Sequence, residues 1–209
     1  MNSISRYYLR GRRPNGFWGR RALNAMNGKD HAALPEWVLA ELNIDPEARI
    51  LDVGCGGGAN IARMLIMCPQ GKVTGIDISE LSIEVSKDLN FHAFVDKQCY
   101  LVGGNALQMP LARETFDLVT AFETIYYWAS LELGFLEIFR VLKPNGRIVI
   151  ANEMDGLQES DRDIEHATAC MRIYNIEEIT SELTDAGFIN IQSRHDEKRR
   201  FICITAQKP

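Results

Sequence analysis

The segment Ile50-Leu51-Asp52-Val53-Gly54-Cys55-Gly56-Gly57-Gly58 constrains this chain more than any other. A short apolar run that stops abruptly at glycines reads as a buried strand feeding a tight turn. Glycines at such a turn let the backbone reverse sharply and let a ligand approach it closely. From residue 49 onward, strand-like and helix-like stretches alternate, which is the pattern of a parallel sheet with helices on its faces. Strands are expected at residues 49–53, 72–78, 99–102, 116–122 and 147–151. Helices are expected at 59–68, at 80–96 behind the N-cap Ser79, at 131–142 and at 176–186, the last closed by Gly187. Lys143-Pro144-Asn145-Gly146 reads as a turn.

Two further strands, at 188–193 and 200–206, are separated only by Arg194-His195-Asp196-Glu197-Lys198-Arg199. That link is too short for a crossover helix, so the pair is antiparallel, with its charges at a solvated hairpin tip. The expected fold class is therefore α/β: a Rossmann-like three-layer sandwich with a seven-stranded, mostly parallel sheet and a C-terminal antiparallel strand pair. Residues 46–209 form this domain. Residues 1–45 stand outside the alternation and read as an N-terminal helical cap and arm, with one helix near residues 35–42.

Composition narrows the partners. The 209 residues, 46% hydrophobic, suffice for one sizeable core. Cys55, Cys68, Cys99, Cys170 and Cys203 are scattered without a C-x-x-C pair, so neither a disulfide framework nor a metal site is expected, and the chain reads as cytoplasmic. No apolar run approaches the ~20 residues that span a bilayer, so no membrane partner is expected. A net charge of -5 argues against nucleic acid as the main partner. The arm runs the other way: Arg6, Arg10, Arg12, Arg13, Arg20 and Arg21 precede the first acid, Asp30. It reads as a solvated tail, with an acid- or phosphate-binding arm as the alternative; an organelle-targeting peptide is disfavoured by the shortness of the stretch and its Gly and Pro. A homodimer is the base-rate expectation for oligomeric state.

The glycines alone leave two cofactors open. Gly54, Gly56 and Ala59 match G-x-G-x-x-A, a dinucleotide pattern. Asp52, inside the strand end, favours the other reading: a carboxylate suits the cationic amino group of a methionine moiety and sits poorly beside a pyrophosphate. Asp77, closing the second strand, suits ribose hydroxyls.

Ligands of open α/β sheets bind beyond the carboxyl ends of the strands. There the fourth strand is followed by Glu123-Thr124-Ile125-Tyr126-Tyr127-Trp128, a carboxylate and three aromatics suited to a cationic or electron-rich small molecule. Glu123 is the candidate general base. Asn152-Glu153-Met154-Asp155-Gly156 follows the fifth strand and reads either as part of the site or as a plain polar loop. In the cap, His31, Leu34 and Trp37 are spaced H-x-x-L-x-x-W, downstream of Met26-Asn27.

The segments 50–58, 73–79, Gly104-Asn105-Ala106-Leu107-Gln108-Met109-Pro110, 116–122 and 142–150 resemble, in order and spacing, the motifs of class I S-adenosylmethionine-dependent methyltransferases. The resemblance spans residues 45–209. The cap histidine pattern, E-T-x-Y-[FY]-W and N-E-x-x-G look like a subgroup of small bacterial enzymes of the methyltransferase-domain-11 type. In those relatives Met-Asn lies one residue closer to the histidine. The resemblance implies S-adenosylmethionine as cofactor, with Asp52, Gly54, Cys55 and Gly56 at its methionine end. Asp77 would hold the ribose, Ile78, Asn105 and Ala106 the adenine, and Phe122 would face the methyl region. Many relatives carry Asp where this chain has Asn105.

On this reading Glu123, His31 and Tyr126 are the candidate catalytic residues, and Tyr127, Trp128, Asn152 and Glu153 would bind a small-molecule methyl acceptor. No N/D/S-P-P-[YF] segment follows the fourth strand, which argues against DNA as acceptor. An RNA- or protein-directed methyltransferase using the basic arm, and a nicotinamide-dependent oxidoreductase, remain the alternatives.

Overall fold

The computed structural model describes residues 14–28, 31–168 and 171–209. Arg6, Arg10, Arg12, Arg13, Asp30 and Cys170 lie outside the described residues. Seven strands form one sheet: β1 Arg49–Val53, β2 Lys72–Asp77, β3 Cys99–Gly103, β4 Phe116–Phe122, β5 Leu142–Asn152, β6 Ile189–Asp196 and β7 Phe201–Gln207. Their order is β3-β2-β1-β4-β5-β7-β6. β1 to β5 pair in parallel, while β7 runs antiparallel to both β5 and β6. The expected fold class is observed.

Side-chain alternation divides the core into two layers. Leu51, Val53, Ile148 and Ile150 face one side, packed with Phe135, Ile138, Ile179 and Leu183 from α6 (Leu131–Val141) and α8 (Ile176–Asp185). Ile50, Val149 and Ala151 face the other, against Leu34, Val38, Ile61 and Met64 from α2 (Ala33–Leu39) and α3 (Ala59–Met67). Strand order reverses between β1 and β4, so the loops leaving these two strands diverge and open a crevice.

Five features depart from the expectations. The helix after β2 breaks into α4 (Glu80–Leu89) and α5 (Phe91–Val95). At the break, buried Asn90 turns its side-chain amide onto the carbonyls of Gly58 and Ser86, both at 3.0 Å. The turn at 143–146 lies within β5, where the pairing with β4 shifts register and Asn145 takes φ 63°.

An N-terminal helix, α1 (Gly16–Met26), was not expected; only Gly19 and Leu23 of it are buried, too narrow a stripe to set a helical period. Nor was α7 (Glu159–Thr168), whose buried residues, Asp161 and Thr168, are polar and leave no apolar period.

The hairpin charges are also not simply solvated. The Arg194 guanidinium lies 4.4 Å from the Trp37 ring centre and pairs with Glu41. Arg200 bonds Asp155 at 2.7 Å and also pairs with buried Asp161, and His195 Nε2 lies 3.2 Å from Asp155. This ionic cluster ties the β5–α7 loop to the hairpin.

Candidate active site

The loops beyond β1 to β5 and the N-terminal cap enclose one cavity of about 780 Å³, within the span of small-molecule sites. Its walls fall into a glycine-loop end and an aromatic end.

At the first end, Gly54 and Gly56 adopt φ 72° and 51°. A side chain at Gly54 would meet Thr124 Oγ1 at 2.1 Å, so the β1 turn can lie against the β4 loop only without a Cβ. Asp77 fastens this turn: its two carboxylate oxygens accept the backbone N–H groups of Gly56 at 2.9 Å and Ser79 at 2.8 Å. Burial pushes its carboxyl upward, and those two N–H groups oppose the shift. A carboxylate has about four acceptor positions, so capacity remains for a ligand. Ser79 itself caps α4 through Ser82 N–H.

Asn105 Oδ1 accepts the Leu107 N–H at 3.0 Å. Its free function is therefore the amide NH₂, a donor, where an aspartate would offer only acceptors. Cys55, Ile78, Ala106 and Phe122 are all on the wall; Ile78 is exposed, and burial with nearby Asp77 and Asp52 pushes the Cys55 thiol up.

Asp52 is placed differently from the expectation. It is not on the wall. Strand alternation turns it to the α3 face, where it is buried and accepts Thr120 Oγ1–H at 2.7 Å. Burial raises its carboxyl to about 7, helped by the charge of Asp77. It supports the β1 turn from behind, and the electrostatic contrast with a pyrophosphate cannot rest on it.

At the second end, Glu123 follows β4 in a left-handed conformation, φ 55°, with its N–H bonded to Ala151 O at 2.9 Å. This strained backbone aims its carboxyl at the β5 loop. Oε1 accepts Tyr126 Oη–H at 3.1 Å and the Glu153 N–H; neither donor reaches Oε2. Tyr126 Oη in turn accepts the Met154 N–H at 3.1 Å. Burial, and the charge of Glu153, push the Glu123 carboxyl up to about 8 against these hydrogen bonds. Burial also raises the Tyr126 phenol well above its usual range. The half-buried Glu153 is raised by burial, and attraction to His31 opposes that shift.

His31, Tyr127, Trp128, Glu153 and Met154 share this wall with Glu123 and Tyr126. The structure thus brings together every predicted catalytic residue and all the predicted acceptor-side residues but one. Asn152 is the exception. It lies on the Ile148–Ile150 face of β5, fully buried and away from the cavity, and neither of its amide atoms has a partner among the described residues. Trp37 is likewise outside, packed on Phe201 at 6.0 Å between ring centres. Of the cap motif, only His31 and Leu34 reach the wall.

Sequence reasoning missed Asn27, whose amide donates to Gly57 O at 2.9 Å and latches the cap onto the glycine loop. It also missed Arg63 and Asn60 of α3 on the wall. A Cβ on Gly57 would fall 2.5 Å from the Asn27 side chain, so the latch needs a glycine there.

Residues 44–195 match the model of a family described as methyltransferase domain. The chain is 34% identical over 139 residues to 24-methylenesterol C-methyltransferase 3 of Arabidopsis thaliana, covering 66% of this chain and 38% of that protein. It is 29% identical over 145 residues to 27-O-demethylrifamycin SV methyltransferase of Amycolatopsis mediterranei, covering 66% and 53%. It thus spans between about a third and about half of the curated relatives it matches. A solved SAM-dependent methyltransferase from Aquifex aeolicus superposes with a TM-score of 0.76 at 21% identity, over 91% of this chain and 98% of that one. These matches set aside the nicotinamide alternative; the finer bacterial subgroup stays an expectation. With motifs, sheet order and family match in agreement, the chain belongs to the methyltransferase-domain family and has the fold of class I S-adenosylmethionine-dependent methyltransferases.

Proposed function

We propose that this chain is a cytoplasmic S-adenosylmethionine-dependent methyltransferase acting on a small-molecule acceptor held at the aromatic end of the cavity. The observation that carries this reading is the single cavity in which the Asp77-fastened glycine loop and the Glu123–Tyr126 pair share a wall. Among the described residues, Cys55, Cys68, Cys99 and Cys203 are free and buried, which agrees with a reducing compartment.

The residues present fit the cofactor. The Gly54–Gly56 cradle would fill if it carried side chains, Asp77 retains acceptor capacity for ribose hydroxyls, and the Asn105 amide offers donors to an adenine ring nitrogen. Cys55 and Gly56 would flank the methionine end, Ile78 and Ala106 the adenine faces, and Phe122 the methyl region. When bound, S-adenosylmethionine supplies a methyl group on a sulfonium and leaves as S-adenosylhomocysteine. The chain's own work is to align the acceptor and exclude water. Glu123, with Oε1 held by Tyr126 and Glu153, takes as a carboxylate the proton of an acceptor that must lose one and becomes the neutral acid, while His31 lines the same wall. Tyr127 and Trp128 supply aromatic walls. The relatives named for sterol and rifamycin substrates support a small organic acceptor.

Calorimetry with S-adenosylmethionine and S-adenosylhomocysteine tests the cofactor half. A labelled-methyl screen over amines, thiols, phenols and carboxylates tests the other. Binding of both cofactors and a labelled product are expected; a folded protein that binds neither, with Asp77→Ala indistinguishable from it, overturns the reading.

A further inference from the structure

On α1, Phe17 is 74% exposed and Trp18 61% exposed, the most open aromatic pair among the described residues. Nothing about the fold needs them there. The helix is held by its other face: Gly19 and Leu23 are buried, and Arg20 bonds Glu84 at 3.1 Å and Asp88 at 3.0 Å. Packing thus pins the helix with its two largest apolar side chains facing solvent. Adjacent exposed apolar groups of this size mark an interaction surface.

Their charge setting says which kind. Six arginines precede the first acid, Asp30, in a chain of net charge -5. Arg20 is offset by Glu84 and Asp88, and Arg21 stays exposed beside the aromatics. A short amphipathic helix with Trp and Phe on one side, in an arginine-rich stretch of the sequence, suits the headgroup region of an anionic bilayer. A single-stranded nucleic acid fits less well. The two rings meet edge to face, 5.4 Å apart at 79°, and offer no parallel pair of faces on which successive bases could stack.

We propose that this outward face of α1, centred on Phe17 and Trp18, docks on an anionic lipid surface. Ala22, Leu23 and Met26 of the same helix line the cavity. Docking therefore holds the cavity close to the lipid, on the inward side of α1. The docking itself does not depend on the methyl-transfer reading.

The test is co-sedimentation of the full chain with phosphatidylcholine vesicles, alone or with about a third phosphatidylglycerol. Partition onto the anionic vesicles only, weakened by salt, is expected. The double variant Phe17→Ser/Trp18→Ser should lower it about tenfold or more, at unchanged melting temperature and unchanged S-adenosylhomocysteine affinity. As a second measurement, brominated lipid should quench tryptophan emission in the unmodified protein and not in Trp18→Phe. No partition, partition that the double variant keeps, or retention on poly(U) with none on vesicles, each overturns the proposal.

Discussion

Replacing Glu123 by Gln tests whether its carboxyl is desolvated, and it does so without knowledge of the acceptor. Glutamine keeps an oxygen for Tyr126 and the Glu153 N–H, so the loop geometry is preserved while the titration is removed. In the folded protein the carboxyl sits near 8, against 4.5 for an ordinary glutamate. The sign follows from linkage: between those values the folded state holds a proton that the unfolded chain has released. The stability that Glu123 contributes is therefore full at low pH and is lost as pH rises toward 8. At ~1.4 kcal/mol per pKa unit, the wild type should lose on the order of 3–4 kcal/mol relative to Glu123→Gln between pH 5 and pH 9. Urea denaturation of both proteins at several pH values reads this difference directly, provided the m-values agree. A difference that stays flat within about 0.5 kcal/mol across that range would mean a solvated, ionised carboxylate, and the reasoning fails. With an acceptor in hand, kcat should rise with pH to a plateau above about 8 in the wild type. In the variant it should fall roughly 10²- to 10⁴-fold and lose that inflection.

Other outcomes follow from the same geometry. Asp77→Ala leaves the Gly56 N–H without its acceptor and removes the carboxylate proposed to meet the ribose, so S-adenosylhomocysteine affinity by calorimetry should drop at least about tenfold. Gly54→Ala drives a methyl into Thr124 Oγ1 at a left-handed backbone position; cofactor binding should be lost and thermal stability should fall by about 1–3 kcal/mol. Arg200→Leu leaves Asp155 and Asp161 buried without their cation, which should cost about 3–5 kcal/mol by urea denaturation near neutral pH. Arg200 holds Asp155 below the usual carboxylate range, and without it burial raises that carboxyl, so this loss should shrink as pH falls from neutral toward the lowered wild-type value, because protonation in the variant replaces the missing partner.

The parallel core was legible because its cues are local. Apolar runs of strand length, helix caps such as Ser79, and glycine turns report secondary structure through nearest-neighbour physics, and their order dictates the sheet. The cavity wall was partly legible for the same reason: residues just past a strand's carboxyl end gather at the crevice, which brought Glu123, Tyr126, Tyr127, Trp128, Glu153 and Ile78 together. Side-chain direction was less legible. Asp52 and Asn152 each sit within a few residues of a wall residue, yet strand alternation buries both away from the cavity.

Sequence by itself determined the α/β fold, the terminal antiparallel pair, the family and the neighbourhood of the site. Tertiary structure alone decided three things: that Asn27 latches the cap to Gly57, that Glu123 and Tyr126 share one hydrogen bond inside a desolvated pocket, and that α1 faces Phe17 and Trp18 outward. The physical reason is that the surroundings of each are long-range, even where, as for Glu123 and Tyr126, the partners are close in the chain. Desolvation, hydrogen-bond partnership and exposure are set by groups up to tens of residues away in the chain, and a local pattern carries no record of them.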